Sequence, residues 1–197
     1  MPLHSICVYS GSSWGAKASY SEAARHLGRA LAQKGIRLIY GAGKVGLMYE
    51  VAESALKAGG EVWGVIPESL TGKNLQHMGL SRTFVTKTMH ERKQTMFDLA
   101  DAFVALPGGL GTLDEMFEML TWAQLNLHAK PCGFLNVDGY YDPLLAFLDH
   151  AVAERFISPD HRSMVMTATT AGSLLAQFAK YRPPDLEKWF SALAPPP

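Results

Sequence analysis

The sequence predicts a three-layer α/β sandwich in which helices cover both faces of a mostly parallel β-sheet. Two observations support this prediction. Short apolar segments alternate along the chain with longer amphipathic segments, an order typical of strand–helix–strand units. The apolar segments are continuous rather than alternating in polarity, as expected for strands buried on both faces. Ligands of such sheets bind at the carboxyl ends of the strands, so the turns that follow the strands are the first places to seek a site.

Seven strands and six helices follow from this pattern. The strands are predicted at residues 6–9, 37–40, 62–66, 83–85, 102–106, 132–137 and 164–166. The helices are predicted at residues 17–34, 46–59, 89–100, 111–127, 142–155 and 170–181. No repeat or linker divides the 197 residues. Residues 1–197 are therefore predicted to form one domain, with a C-terminal tail at about 183–197.

The composition excludes several classes of partner. Eighteen basic residues balance eighteen acidic ones, and 48% of the chain is hydrophobic. A neutral chain offers no field of one sign that would attract nucleic acid or an anionic membrane. The sequence opens without a basic segment and a long apolar run, and no stretch reaches about 18 apolar residues, so we predict a cytoplasmic location.

The two cysteines, Cys7 and Cys132, both fall inside predicted strands. We interpret them as reduced thiols of the core rather than as a disulfide. No Cys-x-x-Cys or His-Glu-x-x-His spacing occurs, so the sequence predicts no metal site.

Glycine-rich turns follow the first two strands, and each allows two interpretations. The first contains Gly11 and Ser12, which can approach a phosphate or a ribose, although a plain strand-to-helix turn uses the same residues. The second, at residues 41–46, fits G-x-G-x-x-G and invites an NAD(P) interpretation. The acidic residue about 20 positions later is Glu61, at the start of the next strand rather than at its carboxyl end. We therefore favour a loop that lines a nucleotide cleft.

The third turn, after the strand at 102–106, is the strongest binding signal. Three glycines in four positions precede a helix whose free N–H groups and dipole attract an anion. Glu115, one turn into this helix, would stand where a carboxylate can stabilise an oxocarbenium-like transition state or activate water. The alternative is a helix cap without a ligand. The residues predicted to bind at this turn are Gly108, Gly109, Leu110, Gly111, Thr112, Leu113, Asp114 and Glu115.

The helix before the fifth strand places two cations on an apolar face. Met89, Arg92, Lys93 and Met96 are spaced i, i+3, i+4 and i+7 and therefore share one face. Cations on such a face need an anion, which a ligand phosphate or Glu115 would supply. The alternative is that both cations extend to solvent at the surface.

The segment Met-His-Glu-Arg-Lys at 89–93, followed by Pro-Gly-Gly-x-Gly-Thr-x-x-Glu at 107–115, resembles the Lonely Guy (LOG) family of cytokinin-activating phosphoribohydrolases. Members of that family are often mislabelled lysine decarboxylases. Further segments similar to the family recur in the family order at 8–13, 46–48, 121–125 and 136–141. The resemblance therefore covers nearly the whole chain.

The resemblance implies a Rossmann-like fold, a homodimer, and a nucleoside monophosphate as the small-molecule partner. It implies hydrolysis of the N-glycosidic bond of an N6-substituted adenosine 5′-monophosphate, or of AMP, without a metal or organic cofactor. By matching motif, Arg92 and Glu115 are the implied catalytic pair, and residues 109–112 hold the phosphate. The remaining residues assigned to the substrate site are Gly11, Ser12, Asn74, Met89, Lys93 and Thr121.

Four positions depart from the family pattern. Ala42, Tyr49 and Asn126 stand where glycine is usual, and Asn74 stands where many members have a substrate-binding glutamate. We expect the changes at Tyr49 and Asn74 to affect which base is accepted rather than the reaction itself.

Two other classes of function remain open at the level of the sequence. A nucleotide-binding sensor would need the third glycine turn but not Arg92 and Glu115, so the presence of that pair favours an enzyme. An NAD(P)-dependent enzyme would bind a dinucleotide instead of a monophosphate.

Overall fold

One seven-stranded β-sheet organises the chain, and the computed structural model describes residues 3–72 and 76–185. The strands are β1 (Ser5–Tyr9), β2 (Arg37–Tyr40), β3 (Val62–Pro67), β4 (Arg82–Thr86), β5 (Ala102–Ala105), β6 (Cys132–Leu135) and β7 (Val165–Ala168). The α-helices are α1 (Ala18–Gln33), α2 (Gly46–Lys57), α3 (Met89–Leu99), α4 (Leu110–Gln124), α5 (Asp142–Ala153), α6 (Pro159–Ser163) and α7 (Ala171–Lys180). Within the described ranges, none of these helices is long and apolar enough to cross a bilayer.

The strand order is β4-β3-β2-β1-β5-β6-β7, and every neighbouring pair is parallel. This confirms the predicted α/β class and makes the described sheet parallel throughout. The chain winds outward from β1 to β4 and then returns to the other side of β1 for β5 to β7. A crevice is expected at the carboxyl ends of β1 and β5, because the direction of winding reverses between them.

Helices cover both faces of the sheet because successive strand residues point to opposite sides. In β1, Ile6 and Val8 pack into one apolar cluster, whereas Cys7 and Tyr9 pack into the other. Helices α1, α2 and α7 contribute to the first cluster, and α3 and α4 contribute to the second. Both cysteines are buried and free, as predicted.

Some boundaries differ from the prediction. Helix α6 has five residues, too few for a helical period to show in the sequence. Strand β6 ends at Leu135 rather than at residue 137, because the side chain of Asn136 turns the chain. Its Nδ2 donates to Asp142 Oδ1 at 2.7 Å, and its Oδ1 accepts from the N–H of Tyr141 at 2.8 Å. Strand β7 starts and ends one to two residues later than predicted, and residues 186–197 of the predicted tail lie outside the described residues.

Two departures from the family pattern fall on left-handed backbone. Ala42 has φ 56° and Asn126 has φ 59°, a region that glycine enters without steric cost. Asparagine tolerates this region, whereas it costs alanine about 1 kcal/mol. Ala42 is fully buried, and its carbonyl accepts the N–H of His77 at 2.9 Å. Its surroundings therefore hold the residue in a conformation that it would otherwise avoid.

Candidate active site

A cleft of about 620 Å³ lies at the carboxyl ends of the central strands. It is bounded by the turns after β1 and β2, by α3 and by the start of α4. The first and third glycine turns are joined directly, since the N–H of Gly11 donates to the carbonyl of Pro107 at 3.1 Å. The predicted site residues that line the cleft are Gly11, Ser12, Met89, Arg92, Gly109, Leu110, Gly111, Thr112 and Glu115.

The start of α4 has the properties of an anion site. Its N-cap residue, Gly109, has no side chain that could cap the helix. Within the described part of the chain, no acceptor meets the backbone N–H groups of Leu110, Gly111 and Thr112. The N–H of Leu113 is the first to be satisfied, by the carbonyl of Gly109 at 3.1 Å. Three free donors at the positive end of a helix dipole favour a phosphate.

The glycines of this turn are needed for different reasons. A methyl group on Gly108 would overlap the side chain of Thr112, so packing within the protein explains that glycine. A methyl group on Gly109 or Gly111 would meet no protein atom within 4 Å, and neither residue has a positive φ. The described protein does not require glycine at these two positions, whereas a ligand bound closely over the free N–H groups would require it.

Two neighbouring tyrosines form hydrogen bonds with the backbone of this turn. The hydroxyl of Tyr140 donates to the carbonyl of Gly108 at 2.6 Å, and that of Tyr141 donates to the carbonyl of Leu106 at 2.7 Å. These bonds fix the peptide groups that lead into α4. The sequence did not place either tyrosine in the site, because no local spacing connects residues 140 and 141 with residues 106–108.

We expect Tyr140→Phe to weaken the binding of ribose 5-phosphate about fivefold. The variant frees the Gly108 carbonyl and loosens the unliganded turn, so phosphate binding must restore an order that one hydrogen bond, worth about 1 kcal/mol, otherwise supplies. Isothermal titration calorimetry measures the change. Tyr20→Phe is the control, since the Tyr20 ring packs on Tyr140 without a hydrogen bond to the turn. An equal loss of affinity in both variants would show that the loss depends on removing a phenolic hydroxyl near the turn and not on the bond to Gly108.

A buried ion pair stands beside the start of α4. Arg92 Nη1 donates to Glu115 Oε1 at 2.6 Å, and the two side chains are only 9% and 13% exposed. Arg92 Nε donates to the carbonyl of Val65 at 3.1 Å. The sequence left open whether Arg92 meets a phosphate, Glu115 or solvent, and the structure pairs it with Glu115. Burial raises the pKa of the Glu115 carboxyl above its usual range, although the Arg92 charge opposes this shift.

Lys93 points away from the cleft, although it follows Arg92 directly. Its Nζ lies 3.2 Å from Asp114 Oδ2 and 3.2 Å from Glu118 Oε2, which joins α3 to α4. Consecutive helical residues are separated by about 100° around the axis, so Arg92 and Lys93 cannot both face the same point.

Other predicted residues are also not part of the cleft wall. The hydroxyl of Thr121 donates to the carbonyl of Phe117 within α4. Asn74 lies outside the described residues. The described residues contain no group of three His, Cys, Asp or Glu side chains able to hold a metal ion. The predicted residues that do not line the cleft are Gly108, Lys93, Leu113, Asp114 and Thr121.

The second glycine turn does not offer a phosphate site. At the start of α2, the N–H groups of Leu47 and Met48 both donate to the carbonyl of Gly11, at 3.0 and 3.3 Å. The first glycine turn therefore occupies the start of α2, where a dinucleotide phosphate would have to bind. The loop lines the cleft instead, as the favoured interpretation proposed, through Gly41, Gly43 and Val45.

The remaining wall of the cleft is apolar. An apolar surface beside a phosphate site suits a flat aromatic base and its hydrophobic substituents. The sequence placed Met89 in the site, and Met96 on the same helix face, but it did not identify the rest of this surface, whose members come from separate segments with no common period. The apolar residues of this wall are Val45, Met48, Ile66, Leu70, Met89 and Met96.

Comparison with known proteins agrees with this geometry. Residues 48–178 match a family model described as possible lysine decarboxylase. The chain is 51% identical to the probable cytokinin riboside 5′-monophosphate phosphoribohydrolase LOGL9 of Oryza sativa subsp. japonica, over 90% of this chain and 78% of the relative. It is 48% identical to the cytokinin riboside 5′-monophosphate phosphoribohydrolase LOG7 of Arabidopsis thaliana, over 90% and 82%. The molybdenum cofactor binding protein of Rippkaea orientalis shares the fold, with a TM-score of 0.68, 24% identity and coverage of 91% and 98%.

The fold and site define an α/β protein with an anion-binding helix start beside a buried arginine–glutamate pair. More particularly, the chain belongs to the LOG family of cytokinin riboside 5′-monophosphate phosphoribohydrolases. The family model's description as a lysine decarboxylase fits the mislabelling noted above. The resemblance read from the motifs at 89–93 and 107–115 is thus confirmed.

Proposed function

We propose that this protein hydrolyses the N-glycosidic bond of cytokinin riboside 5′-monophosphates, of AMP, or of both. The products are the free base and ribose 5-phosphate. The observation that supports this proposal most strongly is the juxtaposition of the free N–H groups at the start of α4 with the buried Arg92–Glu115 pair. The phosphate-binding group and the carboxylate lie one helical turn apart, a separation that a ribose can span.

The proposed reaction replaces the C1′–N bond of the nucleotide by a C1′–O bond from water. The electron pair of the broken bond leaves with the base, which takes up a proton from the solvent, and positive charge develops on the ribose. Glu115 stabilises that charge and accepts the proton of the attacking water. Residues 109–112 bind the phosphate and thereby place C1′ within reach of Glu115.

Arg92 keeps the carboxylate in position. A guanidinium is too weak an acid to protonate the leaving base, so Arg92 is not given that role. Its charge and its bond to Oε1 favour the ionised form of Glu115, against the effect of burial. Arg92 therefore opposes the upward pKa shift that burial causes at Glu115.

Chromatography of the products tests this function. The protein is incubated with AMP and, separately, with isopentenyladenosine monophosphate, both in the presence of EDTA. We expect free base and ribose 5-phosphate in equal amounts, and the faster substrate will show whether the apolar wall prefers a prenylated base. No free base from either substrate with folded protein would contradict the proposal and favour a nucleotide-binding sensor.

The raised pKa of Glu115 gives the proposed activity a defined dependence on pH. Because the carboxylate form is required, kcat/KM is expected to fall as the pH drops through that pKa. The acid limb should therefore lie at higher pH than the usual glutamate range. A pH series with AMP measures it, and a limb at or below the ordinary glutamate pKa would contradict the assigned environment of Glu115.

We also propose that the protein is a cytoplasmic homodimer, as the family resemblance implies. Several large apolar side chains on α5 and just beyond the C-terminal ends of α4 and α5 are exposed, which supports a covered surface. They are Leu125, Leu127, Phe147 and Phe156. The two free thiols suit a reducing compartment. Light scattering should give about twice the chain mass of 21.5 kDa, and the mass of one chain at micromolar concentration would contradict the dimer.

A further inference from the structure

Gly41, at the end of β2, lies directly beneath the guanidinium of Arg92. A methyl group built on Gly41 would overlap Nη2 of Arg92 and would lie 2.7 Å from Cε of Met48. Gly41 does not have a positive φ, so its φ angle does not itself require glycine. The space taken by Arg92 and Met48, rather than the backbone, is what requires glycine here.

The guanidinium is confined on three sides. Its Nε donates to the carbonyl of Val65, its Nη1 donates to Glu115, and its Nη2 lies against the Cα of Gly41. The group is planar and its donors have fixed directions, so moving one nitrogen redirects the other two. A methyl group at position 41 would therefore disturb the bond to Glu115 by displacing Arg92, its nearest neighbour.

We propose that Gly41 is a positioning residue, whose missing side chain lets the Arg92 guanidinium lie in the plane that holds the Glu115 carboxylate. This inference rests on the proposed function, because it explains how Arg92 and Glu115 keep the relative orientation that the reaction requires. It also explains why the first position of the G-x-G-x-x-G segment is glycine without invoking a bound dinucleotide.

Gly43 provides a matched control in the same loop. A methyl group on Gly43 would lie 2.9 Å from Cε and 3.1 Å from Sδ of Met48, but it would not meet Arg92. Gly43 also has no positive φ. Gly41→Ala and Gly43→Ala thus both displace Met48, and only the former displaces the guanidinium.

The test compares the two variants by NMR and by kinetics. In ¹⁵N-labelled protein, the Arg92 Nε–H signal, assigned with Arg92→Lys, should shift or broaden in Gly41→Ala and stay in place in Gly43→Ala. We expect kcat with AMP to fall about 10²-fold in Gly41→Ala, as for a catalytic group misplaced by about 1 Å. The acid limb of its pH profile should move to higher pH, and the limb of Gly43→Ala should not move.

The position of the acid limb reports the pKa of Glu115, which depends on a small set of neighbouring groups. The other titratable or charged groups that act on it are Arg92, Lys93, Asp114, Cys7 and Tyr9. Of these, Arg92 is the nearest to the methyl group of Gly41→Ala. The methyl group could unfold the protein by its contact with Met48. In that case, the double variant Gly41→Ala/Met48→Ala is compared with Met48→Ala alone, and the contact with Met48 is absent from both proteins.

An unmoved Arg92 signal together with wild-type turnover in Gly41→Ala would overturn the inference. A wild-type protein that releases no base would instead overturn the proposed function. The NMR comparison would still decide the role of Gly41, since it needs no turnover.

Discussion

Replacing Glu115 by glutamine is expected to lower kcat by about 10²–10⁴-fold, the range for removal of an acid–base group, while phosphate binding stays nearly unchanged. The amide has the size of the carboxylate but bears no charge and accepts no proton. The N–H groups at 110–112 are backbone groups and are untouched by the change. Product chromatography with AMP measures the loss of turnover, and calorimetry with ribose 5-phosphate measures binding.

Glu118→Gln is the matched control for this experiment. Glu118 lies on the same helix and pairs with Lys93 at 3.2 Å, outside the cleft. We expect the control to retain turnover. Near-wild-type turnover in Glu115→Gln would remove Glu115 from the mechanism, and equal losses in both variants would indicate a general effect of charge on α4.

Replacing Gly111 by alanine is expected to raise the stability of the protein and to weaken phosphate binding. Alanine in place of a helical glycine stabilises by about 0.5–1 kcal/mol, and its methyl group would meet no protein atom within 4 Å. A gain of this size raises the Tm by about 1–4 °C in a chain of this length. The same methyl group would enter the space where a phosphate contacts the N–H groups, and we expect affinity for ribose 5-phosphate to fall about 10²-fold, as for a mispositioned ligand group.

Gly172→Ala separates the two effects. Gly172 is the second residue of α7, as Gly111 is the second residue of α4, and a methyl group there would also meet nothing within 4 Å. The control should gain stability and keep its affinity for ribose 5-phosphate. Unchanged affinity in Gly111→Ala would mean that the phosphate does not bind over the start of α4.

Much of the fold could be predicted from the sequence because burial leaves a local pattern. Strands buried on both faces are continuous apolar runs, and the inner strands β1, β2, β3, β5 and β6 lie where such runs were found. The edge strands β4 and β7 also lie at predicted runs, although they are partly exposed. The misses have equally local causes. Helix α6 is too short to show a helical period. Asn136 ends β6 through side-chain hydrogen bonds that no sequence pattern predicts.

The site could be predicted only where a single segment of the sequence contains all the residues that define it. The turn before α4 shows its glycines and its helix together, so the anion site could be inferred from residues 107–115 alone. Lys93 was grouped with Arg92 by helical spacing, yet it pairs with Asp114 and Glu118, because a face defined by spacing is wider than a single contact. The roles of Tyr140 and Gly41 depend on contacts between distant segments, which only the folded structure reveals.

A crystal structure of Glu115→Gln with bound AMP is the measurement that tests the central claim most directly. The account predicts the phosphate within hydrogen-bond distance of the backbone N–H groups at 110–112, the base on the apolar wall formed by Met48 and Ile66, and C1′ facing residue 115. A phosphate bound at the Gly41–Gly46 loop, or a ribose turned away from residue 115, would contradict it.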